Sequence, residues 1–145
     1  MSTLREWQHY LPDFLRGLEV TLKLTGLSLL IGLPLGLLLA LAMTARRHTV
    51  RWPVITIVEI GRGAPALVVL YFVYYGLPQL HLTWSSFACA SIALGFTTGA
   101  YTADIFRAGI NSIPPGQREA CQALGLSHPQ ELRLVVLPQA IKVVI

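Results

Sequence analysis

Charged residues are scarce in this sequence. Asp, Glu, Lys and Arg make up 12% of its 145 residues, against about 25% in soluble domains. Apolar residues make up 54% of the chain, and its mean hydropathy is +0.60. This shortage of charge is typical of an integral membrane protein. The net charge of +4 could indicate nucleic-acid binding, but the basic residues stand beside apolar runs, where membrane orientation explains them. We therefore expect no nucleic-acid partner.

Residues that bind metals or perform catalysis are also few. The two cysteines, Cys89 and Cys121, fall in an apolar run and in a polar loop, which excludes a disulfide framework. The four histidines are scattered without metal-ligand spacing. The sequence has no phosphate-binding G-x-x-x-x-G-K-[ST] loop and no nucleophile–base–acid set. We expect no metal site, no cofactor bound by this chain and no catalytic site of its own.

The sequence contains several long runs of uncharged, mostly apolar residues. Residues 24–43 are uncharged, and as a helix they would span about 30 Å, one bilayer core. A cleaved signal peptide is the rival interpretation, but the polar segment before this run is too long for one. Residues 54–77 form the second predicted span, because residues 64–77 alone would reach only about 21 Å. Residues 84–103 form the third, and a fourth begins near residue 136.

The distribution of basic residues predicts how these spans are oriented. Residues 46–51 form a compact basic loop, which the positive-inside rule places in the cytoplasm, with the N-terminus outside. Residues 76–83 contain no Lys or Arg and should be external, whereas residues 114–137 should be cytoplasmic. The mixed polar and apolar residues 1–23 suit packing on the membrane surface.

Small residues predict which spans pack against protein. Gly32 and Gly36 form one small-xxx-small pair, with Pro34 between them, and Gly95 and Gly99 form another. Such pairs let helices approach closely. A flexible kink at Pro34 is the alternative explanation for the first pair. The predicted fold is an all-α integral membrane bundle, a single incomplete transmembrane domain over residues 1–145 with a cytoplasmic helix–turn–helix loop.

That loop, residues 114–137, is the only long polar segment set between apolar ones. Ala120, Ala123 and Leu124 fall on one face of a short helix. Gly125 stands where a left-handed helix stop is expected. Ser127 and Gln130 have the spacing of a capping box that opens a second helix. The pattern predicts two helices joined by a glycine turn.

The same stretch resembles the cytoplasmic "EAA" loop of binding-protein-dependent ABC importer permeases. In that family the loop is the coupling helix that docks on the ATPase subunit. Cys121 and Val135 depart mildly from the usual Ala and Ile. The resemblance assigns ATPase coupling to Glu119, Ala120, Cys121, Gly125, Leu137 and Pro138. An ordinary helix–turn–helix connection is the alternative.

Three further stretches resemble the polar amino acid (histidine/glutamine-type) subfamily. They are Arg62-Gly63-Ala64-Pro65, Gly76-Leu77-Pro78 and residues 99–110. Ala64 replaces the subfamily's Thr and Asp104 its Glu. The resemblance assigns the translocation path or subfamily motif to Glu59, Arg62, Gly63, Pro65, Tyr101, Asp104 and Arg107. Simple interfacial ion pairs, Glu59 with Arg62 and Asp104 with Arg107, are the alternative, since each pair is three residues apart.

The resemblance implies a permease subunit of an ATP-driven importer for polar amino acids in the bacterial cytoplasmic (inner) membrane. The implied partners are ABC ATPase subunits that bind the ATP, a second permease subunit (identical or paralogous), an extracytoplasmic amino-acid-binding protein and the lipid bilayer. Family members typically have five spans, so we expect a C-terminally truncated permease that does not transport alone. A non-transporting membrane scaffold or decayed permease fragment is the alternative function.

Overall fold

The computed structural model describes residues 2–45 and 47–144, and the side chains of residues 10–45 and 47–143. Throughout these ranges the secondary structure is helical and no strand occurs, which confirms the predicted all-α class. The elements are α1 (Ser2–Met43), α2 (His48–Gly63), α3 (Ala66–Gln79), α4 (Ser86–Asn111), α5 (Pro115–Ala123), α6 (His128–Glu131), a π-helical turn (Leu132–Val136) and α7 (Leu137–Val144).

The contact between α1 and α4 is built from glycines facing larger side chains. A Cβ placed on Gly36 would lie 2.9 Å from the Cβ of Thr102 and 3.0 Å from the carbonyl oxygen of Gly99. On the other helix, a Cβ on Gly95 would meet the side chain of Ile31 at 2.9 Å. These positions therefore have no room for a side chain. The predicted close packing of both glycine pairs on protein is confirmed, and α1 continues through Pro34 without a break.

Helix α4 is the centre of the bundle, in contact with α1, α2, α3 and α7. Its buried positions are mostly small residues, namely Cys89, Ser91, Ala93, Gly95, Gly99, Ala100, Ala103, Gly109 and Ile110. An apolar cluster at its C-terminal end joins it to α1 and α7, with Ala40, Ile110, Ile113, Val136 and Ala140 buried. The prediction that this helix is surrounded by other helices is confirmed.

Helix α1 is longer than the predicted first span. It has 42 residues and continues without interruption through residues 2–23, which we expected to form a separate segment on the membrane surface. Its stretch Tyr10–Met43 is long and apolar enough to cross a membrane. At 1.5 Å per residue that stretch measures about 51 Å, well beyond a bilayer core of about 30 Å. All residues from 10 to 23 are exposed.

The second predicted span, residues 54–77, is not one continuous helix. Helices α2 and α3 meet at an angle of 106°. Pro65 disfavours the helical conformation of the residue before it, and Ala64 is accordingly extended, with φ −82° and ψ 132°. The two helices form either a broken span or a re-entrant loop. The sequence Gly63-Ala64-Pro65 indicates this break between the two helices.

Helix α7 begins at Leu137, close to the predicted start of the fourth span near residue 136. Helix α6, the π-helical turn and α7 follow one another directly from His128 to Val144. Pro138 has no N–H to donate to the carbonyl of Leu134, so one helical hydrogen bond is missing there. The π turn stands directly before this proline. The N–H of Leu137 correspondingly bonds to the carbonyl oxygen of Leu132.

Helix α4 holds most of the predicted third span, residues 84–103. In the described ranges α1 is the single helix that meets the length and hydropathy expected of a membrane span, and the bent pair α2–α3 is a second candidate if it counts as one span. The small polar residues that let α4 pack centrally also lower its hydropathy, so the third span stays a prediction.

Candidate functional site

The turn after α5 has the geometry that the sequence predicts. Gly125 has φ +72°, a conformation that side chains disfavour. The N–H of Leu126 bonds to the carbonyl of Cys121 at 3.0 Å, and that of Gly125 to Gln122 at 2.9 Å. This pair of hydrogen bonds is a Schellman motif. It ends α5 at Ala123 and sets the direction in which the chain enters α6.

The start of α6 is fixed by its own side chains. The Oε1 atom of Gln130 accepts hydrogen bonds from the backbone N–H of Ser127 at 2.8 Å and from its hydroxyl at 2.7 Å. The backbone half of this arrangement is the predicted capping contact. Two helices joined by a glycine turn, the predicted architecture of this loop, are confirmed.

A buried carboxylate joins the two helices of the loop. Glu131 of α6 is 4% exposed, and its oxygens lie 3.9 Å from Nε of Arg118 and 3.6 Å from Nδ1 of His128. Arg118 in turn donates to the carbonyl oxygen of Ile110 at 3.1 Å, at the C-terminal end of α4. Because a buried charge is costly without partners, this network holds α5 and α6 in one arrangement on α4.

The outer surface of α5 has no contact with the rest of the described chain that would bury it. Glu119, Ala120 and Ala123 are exposed, and Leu124 is 78% exposed. Cys121 points the other way and is buried. The predicted apolar face of this helix is therefore an outward surface beside a carboxylate. We call Glu119, Ala120, Ala123 and Leu124 the α5 outer face.

The two remaining residues assigned to coupling lie elsewhere. Leu137 packs against the apolar cluster at the end of α4, and exposed Pro138 follows the π turn. They belong to the next helix rather than to the α5 outer face. Of the other residues assigned to coupling, Glu119 and Ala120 are exposed and Cys121 is buried. Gly125 forms the turn after α5.

The second predicted group forms a charge cluster where α2 ends and α4 passes. Arg62 Nη1 lies 2.5 Å from Asp104 Oδ2, an ion pair between the two helices. Asp104 Oδ1 also accepts from Arg107 Nη2 at 2.8 Å, and Glu59 Oε1 lies 3.8 Å from Arg62 Nη1. Both ion pairs expected from three-residue spacing are present, and the link between α2 and α4 joins them.

Tyr101 completes this cluster. Its hydroxyl donates to the carbonyl oxygen of Arg62 at 3.1 Å, and the guanidinium carbon of Arg62 lies 6.0 Å from its ring centroid. In the described part of the chain, Arg62 Nε is the one buried side-chain nitrogen or oxygen without a hydrogen-bond partner. Gly63 and Pro65 flank the break between α2 and α3 immediately after this arginine. The cluster therefore sits at the corner of the bent pair.

Comparison with a protein-family model identifies the family of this chain. The model described as "Binding-protein-dependent transport system inner membrane component" matches residues 32–145. The chain belongs to this family. The resemblance stated from the sequence is confirmed, and the family comprises membrane components of transporters rather than enzymes.

Individual members of the family are similar to the chain over most of its length. The arginine transport system permease protein ArtQ of Bacillus subtilis is 39% identical over 91% of this chain and 61% of its own length. The L-cystine transport system permease protein TcyB of the same organism is 38% identical over 94% and 58%. The chain spans about three fifths of these relatives.

A solved structure supports the same fold. The "Crystal structure of an amino acid ABC transporter with histidines" aligns with a TM-score of 0.83 and 39% identity, over 94% of this chain and 64% of that one. The inward-facing MetNI methionine ABC transporter aligns with a TM-score of 0.63 and 25% identity. The chain thus shares its all-α architecture with components of ABC transporters.

Sequence reasoning missed two residues of this family member's loop, Arg118 and Glu131. Both are charged residues in a polar stretch, where side chains are usually exposed to solvent. The available signal was their position. Arg118 and Cys121 are three apart in α5 and so share a helix face, which the structure turns toward α4 and α6. The pairing across the loop depends on the Gly125 turn and has no local sequence pattern.

Proposed function

We propose that this chain is the membrane permease subunit of an ATP-driven importer for polar amino acids. In this proposal its helices contribute to the translocation path, and the loop that holds α5 and α6 couples to an ABC ATPase subunit. A second permease subunit and an extracytoplasmic amino-acid-binding protein complete the importer in the bacterial inner membrane. Family membership and the likeness to amino acid transporter components support each part.

One observation carries the coupling role. The α5 outer face is exposed, while the opposite side of the same short helix is fixed to α4 and α6 through Arg118, Cys121 and Glu131. A helix that transmits force needs a free surface for its partner and a rigid attachment to the spans. The exposed Leu124 and Glu119 offer that partner one apolar and one charged contact.

The charge cluster supports a role in the translocation path. Glu59, Arg62, Asp104 and Arg107 carry two charges of each sign and connect the α2–α3 corner to the central helix α4. Ionisable groups at membrane depth are functional candidates. An amino acid substrate carries both a carboxylate and an ammonium group. We propose that this charge cluster borders the translocation path.

The substrate class follows from relatives whose names specify arginine, L-cystine, octopine and nopaline transport. All four compounds have the zwitterionic or charged groups of an amino acid. For this chain we therefore propose a polar amino acid or a derivative of one as the substrate.

Site-specific photocrosslinking tests the coupling role. A photoreactive amino acid at position 124 should crosslink to the ATPase subunit in the assembled importer. The same group at position 82 is the matched control, because Leu82 is also an exposed leucine in a connecting segment but lies in the predicted external loop. Equal capture from both positions, or none from position 124, would contradict the docking role.

Cysteine labelling tests the proposed topology. With Cys89 and Cys121 replaced, a cysteine at His48 should react with a membrane-impermeant reagent only from the cytoplasmic side. A cysteine at Gln79 should react only from outside. Both positions are exposed, so accessibility within the protein does not limit either reaction. External labelling at position 48 would reverse the orientation.

A further inference from the structure

A cavity of about 350 Å³ lies at the corner between α1 and α2, on the side where α6 approaches. Its volume falls within the range of about 300–1,000 Å³ that is common for ligand sites. The residues around it come from the end of α1, the start of α2, and α6 with the π turn. They are Leu41, Thr44, Ala45, Arg47, Val50, His128 and Leu132.

The wall is mostly aliphatic, and its charge is positive. The hydroxyl of Thr44 already donates to the carbonyl oxygen of Leu41 at 2.8 Å. The buried carboxylate of Glu131 lies beside Arg118 and His128. Its negative charge therefore offsets positive charge on these two side chains rather than on Arg47. Arg47 is exposed and has no ion-pair partner among the described side chains of residues 10–45 and 47–143. It is the uncompensated charge at the edge of the cavity.

The neighbouring part of α2 matches a membrane–water interface. Arg51 follows Arg47 by one helical turn and is exposed, as is His48. Trp52 is 62% exposed and Val50 44% exposed. Exposed tryptophan beside arginine is typical of the headgroup level of a bilayer, where the ring and the guanidinium both find partners. The residue preceding Arg47, Arg46, lies outside the described residues.

We propose that this cavity binds an anionic phospholipid, whose phosphate pairs with Arg47 and whose acyl chain enters the space lined by Leu41, Val50 and Leu132. The inference rests on the proposed function, because it requires this corner to lie at the cytoplasmic face of a membrane. A positive rim over an aliphatic cavity complements an anionic headgroup above a hydrocarbon chain. Free phosphate would leave the aliphatic wall unused.

The position of the cavity gives the lipid a consequence for coupling. One wall is α6 and the π turn, which continue from the Gly125 turn and carry Glu131. The opposite wall is the corner between the first two helices. A bound lipid would therefore hold the α6 segment against this corner and slow local opening of the loop. Amide exchange over residues 128–136 should report that effect.

Native mass spectrometry of the purified chain, mixed in detergent with equal phosphatidylglycerol and phosphatidylcholine, tests the proposal. The chain should retain phosphatidylglycerol in preference to phosphatidylcholine. Arg47→Glu should lower that preference about tenfold or more, since each basic residue near an anionic surface contributes about fivefold and the reversal adds repulsion. Val50→Phe, which fills the cavity without changing charge, should also lower phosphatidylglycerol retention.

Arg51→Glu is the matched control, because it makes the same charge change one turn away and does not line the cavity. Equal losses for Arg47→Glu and Arg51→Glu would show general surface attraction and overturn the site. Competition by inorganic phosphate as strong as by phosphatidylglycerol would show a soluble-anion site. Unchanged phosphatidylglycerol retention by Arg47→Glu would also overturn the site. Neither ATPase nor substrate is present in the lipid measurement, so failure of the transport proposal gives a separate result.

Discussion

The contact between α1 and α4 and the loop that holds α5 and α6 are stabilised in different ways. In the first, glycines lie against Thr98, Thr102, Ile31 and Leu35, and the recorded hydrogen bond between the two helices, from Thr102 Oγ1 to the carbonyl of Gly32, is long at 3.4 Å. In the loop, a buried carboxylate, an arginine and one positive φ set the arrangement. The first region is specified by volume and the second by charge and backbone conformation, so they should respond to different substitutions.

The largest effect is expected from added volume in the α1–α4 contact. Gly36→Val should lower the free energy of unfolding by about 3 kcal/mol, because overpacking forces the two helices apart. Gly26→Val is the control in the same helix, since a Cβ at Gly26 meets nothing within 4 Å. Denaturant titration of the chain in mild detergent measures both. Similar losses for the two variants would show that close approach is not what stabilises this pair.

The next effect concerns the backbone of the loop. Gly125→Val should cost about 2 kcal/mol, because a β-branched residue at positive φ is strongly disfavoured. It should also splay α5 from α6 and abolish transport by the assembled importer while leaving membrane insertion intact.

Gly116→Val isolates the cause of that effect. A Cβ would meet nothing within 4 Å at either glycine, but only Gly125 of the two has a positive φ. Transport and ATPase co-purification measured on both variants separate backbone strain from side-chain bulk. Loss of transport in Gly116→Val as well would contradict the role of the turn.

A smaller effect is expected from the buried charge. Glu131→Gln should cost about 1 kcal/mol, because Arg118 loses an ionised partner in a buried setting. Hydrogen exchange should become faster at the amides of α5 and α6 and stay unchanged across the α1–α4 contact. Faster exchange at the α1–α4 contact would mean that the two regions are not independent.

The smallest effect on folding is expected at the other carboxylate of the loop. Glu119 is exposed, so Glu119→Lys should change the free energy of unfolding by less than about 0.5 kcal/mol. It should nevertheless weaken ATPase co-purification and abolish transport. Wild-type transport by this variant, together with wild-type transport by Gly125→Val, would reduce the loop to an ordinary connection.

The same two regions show where sequence reasoning succeeds. Gly32, Gly36, Gly95 and Gly99 predicted close helix packing because small residues at four-residue spacing form a flat surface on one helix face. The Gly125 turn and the Ser127–Gln130 contact followed from requirements that span only a few residues. Local stereochemistry determines such features, and the structure confirms them.

The bend between α2 and α3 was not predicted from the sequence. Pro65 forbids a smooth helix locally, and that signal was present in the sequence. The single predicted span over residues 54–77 followed from the length needed to cross a bilayer. The chain instead turns by 106° at this point. The required length applies to a straight helix, whereas a proline breaks a helix for steric reasons that do not depend on membrane thickness.

The sequence by itself determined the helical class, the glycine turn and the ion pairs within single helices, because each depends on composition or on residues a few positions apart. The family was indicated by the resemblance of several stretches to known permeases. The tertiary structure alone decided that Arg62 pairs with Asp104, 42 residues later, and that Glu131 is buried beside Arg118. It also decided that Ala120 and Leu124 face outward while Cys121 faces the bundle. These outcomes depend on how separate helices are placed in space, and the placement is a property of the whole packed chain rather than of any one segment.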